Sequence, residues 1–296
     1  MFEWTGIEFV VVGLLIGYII AFVYGWRRNF QVAKSIAATL KPVLSSFKSV
    51  ESLEREAVNI FEIFACGHGN FKGLLVTIDL KAEQDLLSVV LGTFGVLPWK
   101  DKIKFEVQSI EGKEDDLTAG FGRKAVISQI HEKFPVFTKT KNRNLISKIK
   151  DKLPFVGVSD CSDTAESLFG SNSPLGNLEI SSLAIIDSVL VGKLTDGAGI
   201  SMIADISINS DTRPSQIIEV AQALLATIEG LATLKLSQKS KAEIAALIEA
   251  EQRVKDEKER EEKMAAKRQA LTDAEKEKLE EKRVRRANKG RVQLVR

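Results

Sequence analysis

The stretch from Ser182 to Asn209, SLAIIDSVLVGKLTDGAGISMIADISIN, decides the fold class of this chain. Two runs rich in β-branched and other apolar residues, 184–194 and 200–208, flank the turn-forming sequence TDGAG. Apolar runs of strand length joined by a few Gly and Asp residues are typical of a β-hairpin. We therefore predict a hairpin here.

The segment CGHGNFKG, residues 66–73, lies between two further strand candidates, 59–65 and 74–80. A phosphate-binding loop would need GxxxxGK[ST] or GxGxxG between a strand and a helix. Gly67, Gly69 and Gly73 fit neither spacing, and a strand rather than a helix follows them. The segment is therefore interpreted as the turn of a second hairpin.

The remaining patterns complete an α+β domain over residues 49–236. Helices are predicted over 83–94, 123–137 and 163–169, and from residues 211–214 onward. Strands are predicted over 102–110 and 155–159, and the polar, basic residues 139–154 are predicted as a loop or short helix. Strands in hairpins with helices packed on them define the α+β class.

Catalytic and metal-binding patterns are absent from the sequence. The four residues of the usual zinc-ligand types form no CxxC pair; they are Cys66, His68, His131 and Cys161. There is no GxSxG or HExxH motif, and Asp115 and Asp116 are interpreted as loop residues. We therefore predict that the protein is not an enzyme and binds no cofactor or metal.

Residues 9–26, FVVVGLLIGYIIAFVYGW, carry no charge. Eighteen helical residues extend over about 27 Å, close to the roughly 30 Å of a hydrocarbon core. A cleaved signal peptide would carry positive charge before the apolar run, but Glu3 and Glu8 precede this one. We predict a transmembrane helix over 7–26 and a lumenal N-terminus over 1–6. An amphipathic juxtamembrane connector, broken at Pro42, is predicted over 27–48.

The flanking charges predict the orientation of this span. Arg27, Arg28 and Lys34 follow it, and no Lys or Arg precedes it. Because positive residues stay on the cytosolic side, the α+β domain is predicted to be cytosolic.

Small residues recur every four positions along the span, at Gly13, Gly17, Ala21 and Gly25. Such a ridge allows a second helix to approach closely. Glycine is also common in membrane helices generally, so the pattern has two readings: a site for a partner helix, or background composition.

Residues 237–296 are predicted as a charged helical tail. Strong helix formers dominate, and opposite charges recur at i, i+4, as in Glu259 and Lys263. Larger apolar residues are too sparse for a coiled-coil seam, which favours a solvated single helix that Thr272 and Asp273 could interrupt. The basic end is predicted to bind phosphates of RNA or anionic lipid through Lys282, Arg283, Arg285, Arg286, Lys289, Arg291 and Arg296.

Three blocks resemble the calumin-like coiled-coil proteins of the endoplasmic reticulum: FACGHGNFKGLLVTIDLKAEQDLLSVV, GFGRKAV and IIEVAQALLATIEGLATLKLSQKSKAE. The order of segments and the basic end resemble that family too. The resemblance implies a single-pass subunit of the PAT complex that assists insertion of multipass proteins. It also implies an Asterix-like small membrane protein, the Sec translocon and other multipass translocon subunits, the translating ribosome and nascent multipass proteins as partners.

One departure limits what the resemblance implies. Animal members of that family carry a long acidic lumenal segment linked to calcium binding, whereas only Glu3 and Glu8 precede the span here. A calcium role is therefore not expected. The predicted function is that of a non-enzymatic accessory factor of the translocon in the endoplasmic reticulum membrane. The alternative is a membrane tether or lipid-binding adaptor that uses the basic tail.

Overall fold

The computed structural model describes residues 6–69, 71–81, 100–110, 117–133, 137, 140–143, 145, 149, 152–192, 194, 200–209, 211–250, 252–253, 256–265 and 278. The chain divides into two compact units, Met1–Glu243 and Ile244–Arg296. The predicted helix over 83–94 and the whole basic end lie outside the described residues.

The first unit begins with one long helix, α1, Gly6–Leu44. Among the described residues, this is the helix that is by itself long and apolar enough to cross a membrane. The predicted break at Pro42 is wrong, because α1 continues through that residue. Proline within a helix removes one backbone hydrogen bond. Here Leu40, Val43 and Leu44 are buried on both sides of Pro42, and their packing keeps the last turn helical.

In the described part of the chain, ten strands form a single sheet in which every pair is antiparallel. Their spatial order is β1-β3-β4-β5-β10-β9-β6-β8-β7, with β2 paired to β3. The strands are β1 Ser49–Val50, β2 Glu54–Arg55, β3 Ile60–Cys66, β4 Phe71–Asp79, β5 Asp101–Ile110, β6 Ala119–Arg123, β7 Lys141–Arg143, β8 Phe155–Ser159, β9 Ile186–Gly192 and β10 Ile200–Ile208.

Both predicted hairpins are confirmed. In β3–β4 the register pairs Ile60 with Asp79 and Cys66 with Gly73, and β9 pairs with β10 along its length. Gly67 and Gly69 have φ values of 81° and 52°, a region that glycine adopts without steric cost. The glycines of this segment therefore build a turn.

Helices cover the sheet, and those predicted over 123–137, over 163–169 and from residues 211–214 onward are confirmed in the described residues. The helices after α1 are α2 Lys124–Lys133, α3 Ser162–Phe169, α4 Pro174–Asn177, α5 Ile180–Leu183, α6 Pro214–Thr233 and α7, residues 238–250. The short helices α4 and α5 were not predicted. Part of the segment predicted as a loop or short helix, 139–154, forms strand β7 instead.

The core extends along the whole sheet, since buried side chains belong to β3–β5 as well as to β9, β6 and β8. On one face, α2 contributes Ile127 and Ile130 to a cluster with Phe137, Val158 and Leu190. Helix α6 contacts α1, the short helices α3–α5 and β10. It buries large side chains that each stabilise the fold by about 1.5–3 kcal/mol; they are Ile217, Val220, Leu224, Leu225, Ile228 and Leu231.

Candidate functional site

The second half of α1 is docked on the domain. A stripe of buried residues recurs every three or four positions, and it faces β3 and α6; its members are Gly25, Asn29, Ala33, Ile36, Leu40, Val43 and Leu44. The Asn29 Nδ2 donates a hydrogen bond of 2.9 Å to the Lys81 carbonyl oxygen, and the Phe30 ring lies 6.1 Å from that of Phe61. The predicted connector is thus part of a helix packed on the domain.

The first half of α1 is open. Described side chains between residues 9 and 24 are exposed, except for the half-buried Ala21. A Cβ atom added at Gly13 or Gly17 would meet no atom within 4 Å. The small residues of the ridge therefore lie in two different environments. Gly25 belongs to the docked stripe, whereas Gly13 and Gly17 lie in the open half. That a partner helix binds this ridge stays a prediction.

His68 joins three elements that are distant in sequence. Its Nδ1 lies 3.0 Å from the Ser46 carbonyl oxygen, just after α1, and its Nε2 lies 2.9 Å from the Glu229 Oε1 on α6. The ring packs against Phe47 and Phe71 at centroid distances of 4.9 and 5.7 Å. Because the polar partners are 22 and 161 residues away, no local sequence pattern predicts this contact.

The start of α7 is fixed to α3 by reciprocal capping. The Asp163 carboxylate accepts a hydrogen bond of 2.6 Å from the Ser237 N–H, and the Asp163 N–H donates one of 3.3 Å to the Ser240 hydroxyl. Each contact satisfies a backbone group at a helix start that lacks a partner within its own helix. The Ser240 side chain is fully buried between them.

An ion pair reinforces this contact. The Arg143 Nη2 lies 2.7 Å from the Glu243 Oε2 and also donates to the Asp160 carbonyl oxygen at 3.2 Å. The hydrogen bond from Arg143 lowers the pKa of Glu243, and the hydrogen bond from the Ser237 N–H lowers that of Asp163. Both carboxylates are therefore held ionised. We call the set Arg143, Asp163, Ser237, Ser240 and Glu243 the tail clamp.

The described part of the tail after the clamp is helical. Residues 256–265 are α-helical, and the predicted i, i+4 pair of Glu259 and Lys263 forms at 2.9 Å. A second pair, Glu249 with Arg253, forms at 2.6 Å. The basic residues from Lys282 to Arg296 lie outside the described part of the chain, so their role stays a prediction.

Cys161 lies in a setting that suppresses thiol reactivity. It is fully buried, its Sγ lies 2.9 Å from the Thr164 Oγ1, and burial raises its pKa. A raised pKa leaves less of the reactive thiolate. The neighbouring Asp160 carboxylate accepts N–H groups of Thr118 and Cys161 at 2.8 and 2.6 Å. In the described ranges, no three His, Cys, Asp or Glu residues converge as metal ligands.

Comparisons with known proteins place the chain in a family. It is 33% identical over 130 residues to an uncharacterized protein of Arabidopsis thaliana, a match covering 40% of this chain and 27% of the relative. The chain thus matches only about a quarter of that relative's length. The family model described as PAT complex subunit CCDC47 matches residues 4–290, which is nearly the whole chain. The chain belongs to the family of the PAT complex subunit CCDC47.

Proposed function

We propose that this protein is a non-enzymatic accessory subunit of the ribosome-associated translocon in the endoplasmic reticulum membrane. It assists the insertion and folding of multipass membrane proteins as an intramembrane chaperone subunit of a PAT-like complex. The observation that carries the proposal is the family match over residues 4–290, which includes α1, the sheet domain and the tail as far as residue 290.

In this proposal the open half of α1 binds within the membrane. Its exposed apolar side chains suit a lipid environment, and the small residues Gly13, Gly17 and Ala21 allow a helix of an Asterix-like small membrane protein to approach. The domain and tail face the cytosol, because Arg27, Arg28 and Lys34 follow the span. The domain is then on the side from which a translating ribosome approaches.

A reporter assay tests this function. The protein is depleted, and insertion is measured for a multipass reporter and for a single-pass reporter as the matched control. The proposal expects loss of correctly inserted multipass reporter with the single-pass reporter unchanged, and rescue by the full chain. Equal insertion of the multipass reporter with and without the protein would contradict it.

The basic end distinguishes this function from that of a lipid tether. Contacts with phosphates of ribosomal RNA release counterions, so binding weakens steeply with salt and with each lost charge. Changing Arg283, Arg285, Arg286 and Arg291 to Glu is expected to release the protein from ribosomes at moderate salt, with the fold and membrane insertion retained. Loss from liposomes with unchanged ribosome co-sedimentation would instead support the tether.

A further inference from the structure

A groove lies where α1 meets the turn between β2 and β3. Its volume is about 490 Å³, within the range of small-ligand pockets, and it is lined by Phe22, Val23, Trp26, Arg55, Glu56, Ala57 and Val58. The Glu56 and Ala57 N–H groups both donate to the Ile60 carbonyl oxygen, at 3.1 and 3.2 Å. The turn that forms one wall is therefore held in place by the backbone.

The position of the groove relative to the membrane follows from its other wall. Phe22 and Val23 fall inside the predicted span of residues 7–26, and Trp26 is its last residue. The side chains of Phe22, Val23, Trp26 and Val58 are each 36–38% exposed, so they line the groove without closing it. Given that α1 crosses the membrane, the groove opens at the boundary between acyl chains and headgroups.

The rim of the groove carries a cation suited to phosphate. The Arg55 guanidinium carbon lies 5.2 Å from the centroid of the Trp26 ring, which is within cation–π distance. A cation–π contact does not use up the N–H donors at the edge of a guanidinium, and arginine binds phosphate bidentately through such donors. The Glu56 carboxyl, which also lines the groove, lies close to that of Glu62. Burial of the Glu62 carboxyl and the neighbouring negative charge of Glu56 raise the pKa of Glu62.

We propose that this groove binds a glycerophospholipid, with its phosphate on Arg55 and the upper part of an acyl chain against Phe22, Val23 and Val58. The proposal rests on the membrane span of α1 and is independent of ribosome or translocon binding. A partner helix fits less well. The α1 wall from Phe22 to Trp26 is about 6 Å long, roughly half the diameter of a helix with its side chains.

A photo-crosslinker tests the occupant. Benzoylphenylalanine replaces Val58 in the full chain, and native membranes are irradiated. The adducts are then identified by mass spectrometry. The proposal expects a phospholipid adduct on residue 58. An adduct with a protein, or no adduct at all, would overturn it.

A charge variant tests the phosphate contact in the same assay. Arg55→Gln is expected to lower the lipid adduct about fivefold, the effect of one basic residue at a membrane surface. Arg55→Lys keeps the charge but not the planar fork. Its yield of lipid adduct should lie between that of the parent chain and that of Arg55→Gln. Lys152→Gln, an exposed cation elsewhere on the domain, serves as the matched control and should change nothing. An unchanged adduct with Arg55→Gln would remove Arg55 from the site.

Discussion

The two halves of α1 belong to one helix but have opposite surroundings. Between residues 9 and 24 the described side chains are exposed, whereas from Gly25 to Leu44 a regular stripe is buried against β3 and α6. A docked helix stabilises the domain through its buried stripe. The open half makes no such contribution, so its small residues are available to a partner. The same helix thus packs on the domain along one half and leaves the apolar side chains of its other half exposed.

The two halves of α1 are expected to differ most in their effect on stability. Leu40→Ala removes a side chain that is 1% exposed in the docked half, and it should lower the free energy of unfolding by about 2–5 kcal/mol. The matched control is Leu14→Ala in the open half, where the side chain is 70% exposed, and it should leave that free energy unchanged. Denaturant titration of the full chain in mild detergent measures both. Equal loss in the two variants would remove the distinction between the halves.

The opposite pattern is expected for partner binding. Gly17→Leu together with Ala21→Leu should leave the unfolding free energy unchanged and weaken association with a partner helix about tenfold, because bulky side chains prevent close approach. Leu15→Ile with Ile19→Leu, on the opposite face of the same helix, is the control. Quantitative co-purification in mild detergent measures the association. Unchanged recovery would assign the ridge to background glycine usage.

A smaller effect is expected at the tail clamp. Asp163→Ala removes the hydrogen-bond acceptor of the Ser237 N–H. It should lower the stability of the start of α7 by about 1 kcal/mol, which is measured as faster hydrogen exchange there. Asp256→Ala, on an exposed part of the tail, is the control. Exchange that is equally slow in both variants would show that the clamp does not stabilise α7.

The clamp also predicts a pH dependence. The pKa values of Asp163 and Glu243 are lowered in the folded chain, so their stabilisation is complete above the unfolded-state values. It is lost as pH falls through the folded-state values, below about pH 4. Asp163→Ala should therefore lose less stability than the parent across this acidic range. An equal loss of stability in the parent and in Asp163→Ala as pH falls would contradict the role of Asp163.

The sequence patterns predicted the elements whose signals are local. Apolar runs of strand length joined by turn residues predicted both hairpins, and Pro214 marked the start of α6. Other features depend on partners far away in sequence. Strand β7 consists of the polar residues Lys141, Asn142 and Arg143, and only its pairing with β8 makes it a strand.

The docking of α1 and the tail clamp were unpredictable for the same reason. Proline at position 42 by itself favours a break in the helix, but the burial of its neighbours in the domain outweighs that preference. Arg143 and Glu243 are 100 residues apart, so no local pattern pairs them. The small-residue ridge was visible in the sequence. Its division into an open and a docked part required the structure.

Crosslinking from the open half tests the central claim most directly. Benzoylphenylalanine replaces Tyr18, which is 43% exposed beside Gly17, in the full chain in endoplasmic reticulum membranes. The prediction is an adduct with a small membrane protein of the Asterix type, or with a nascent multipass protein, and loss of that adduct with Gly17→Leu and Ala21→Leu. Adducts with lipid alone would contradict the claim that this half of α1 is the partner-binding surface of a PAT-like complex.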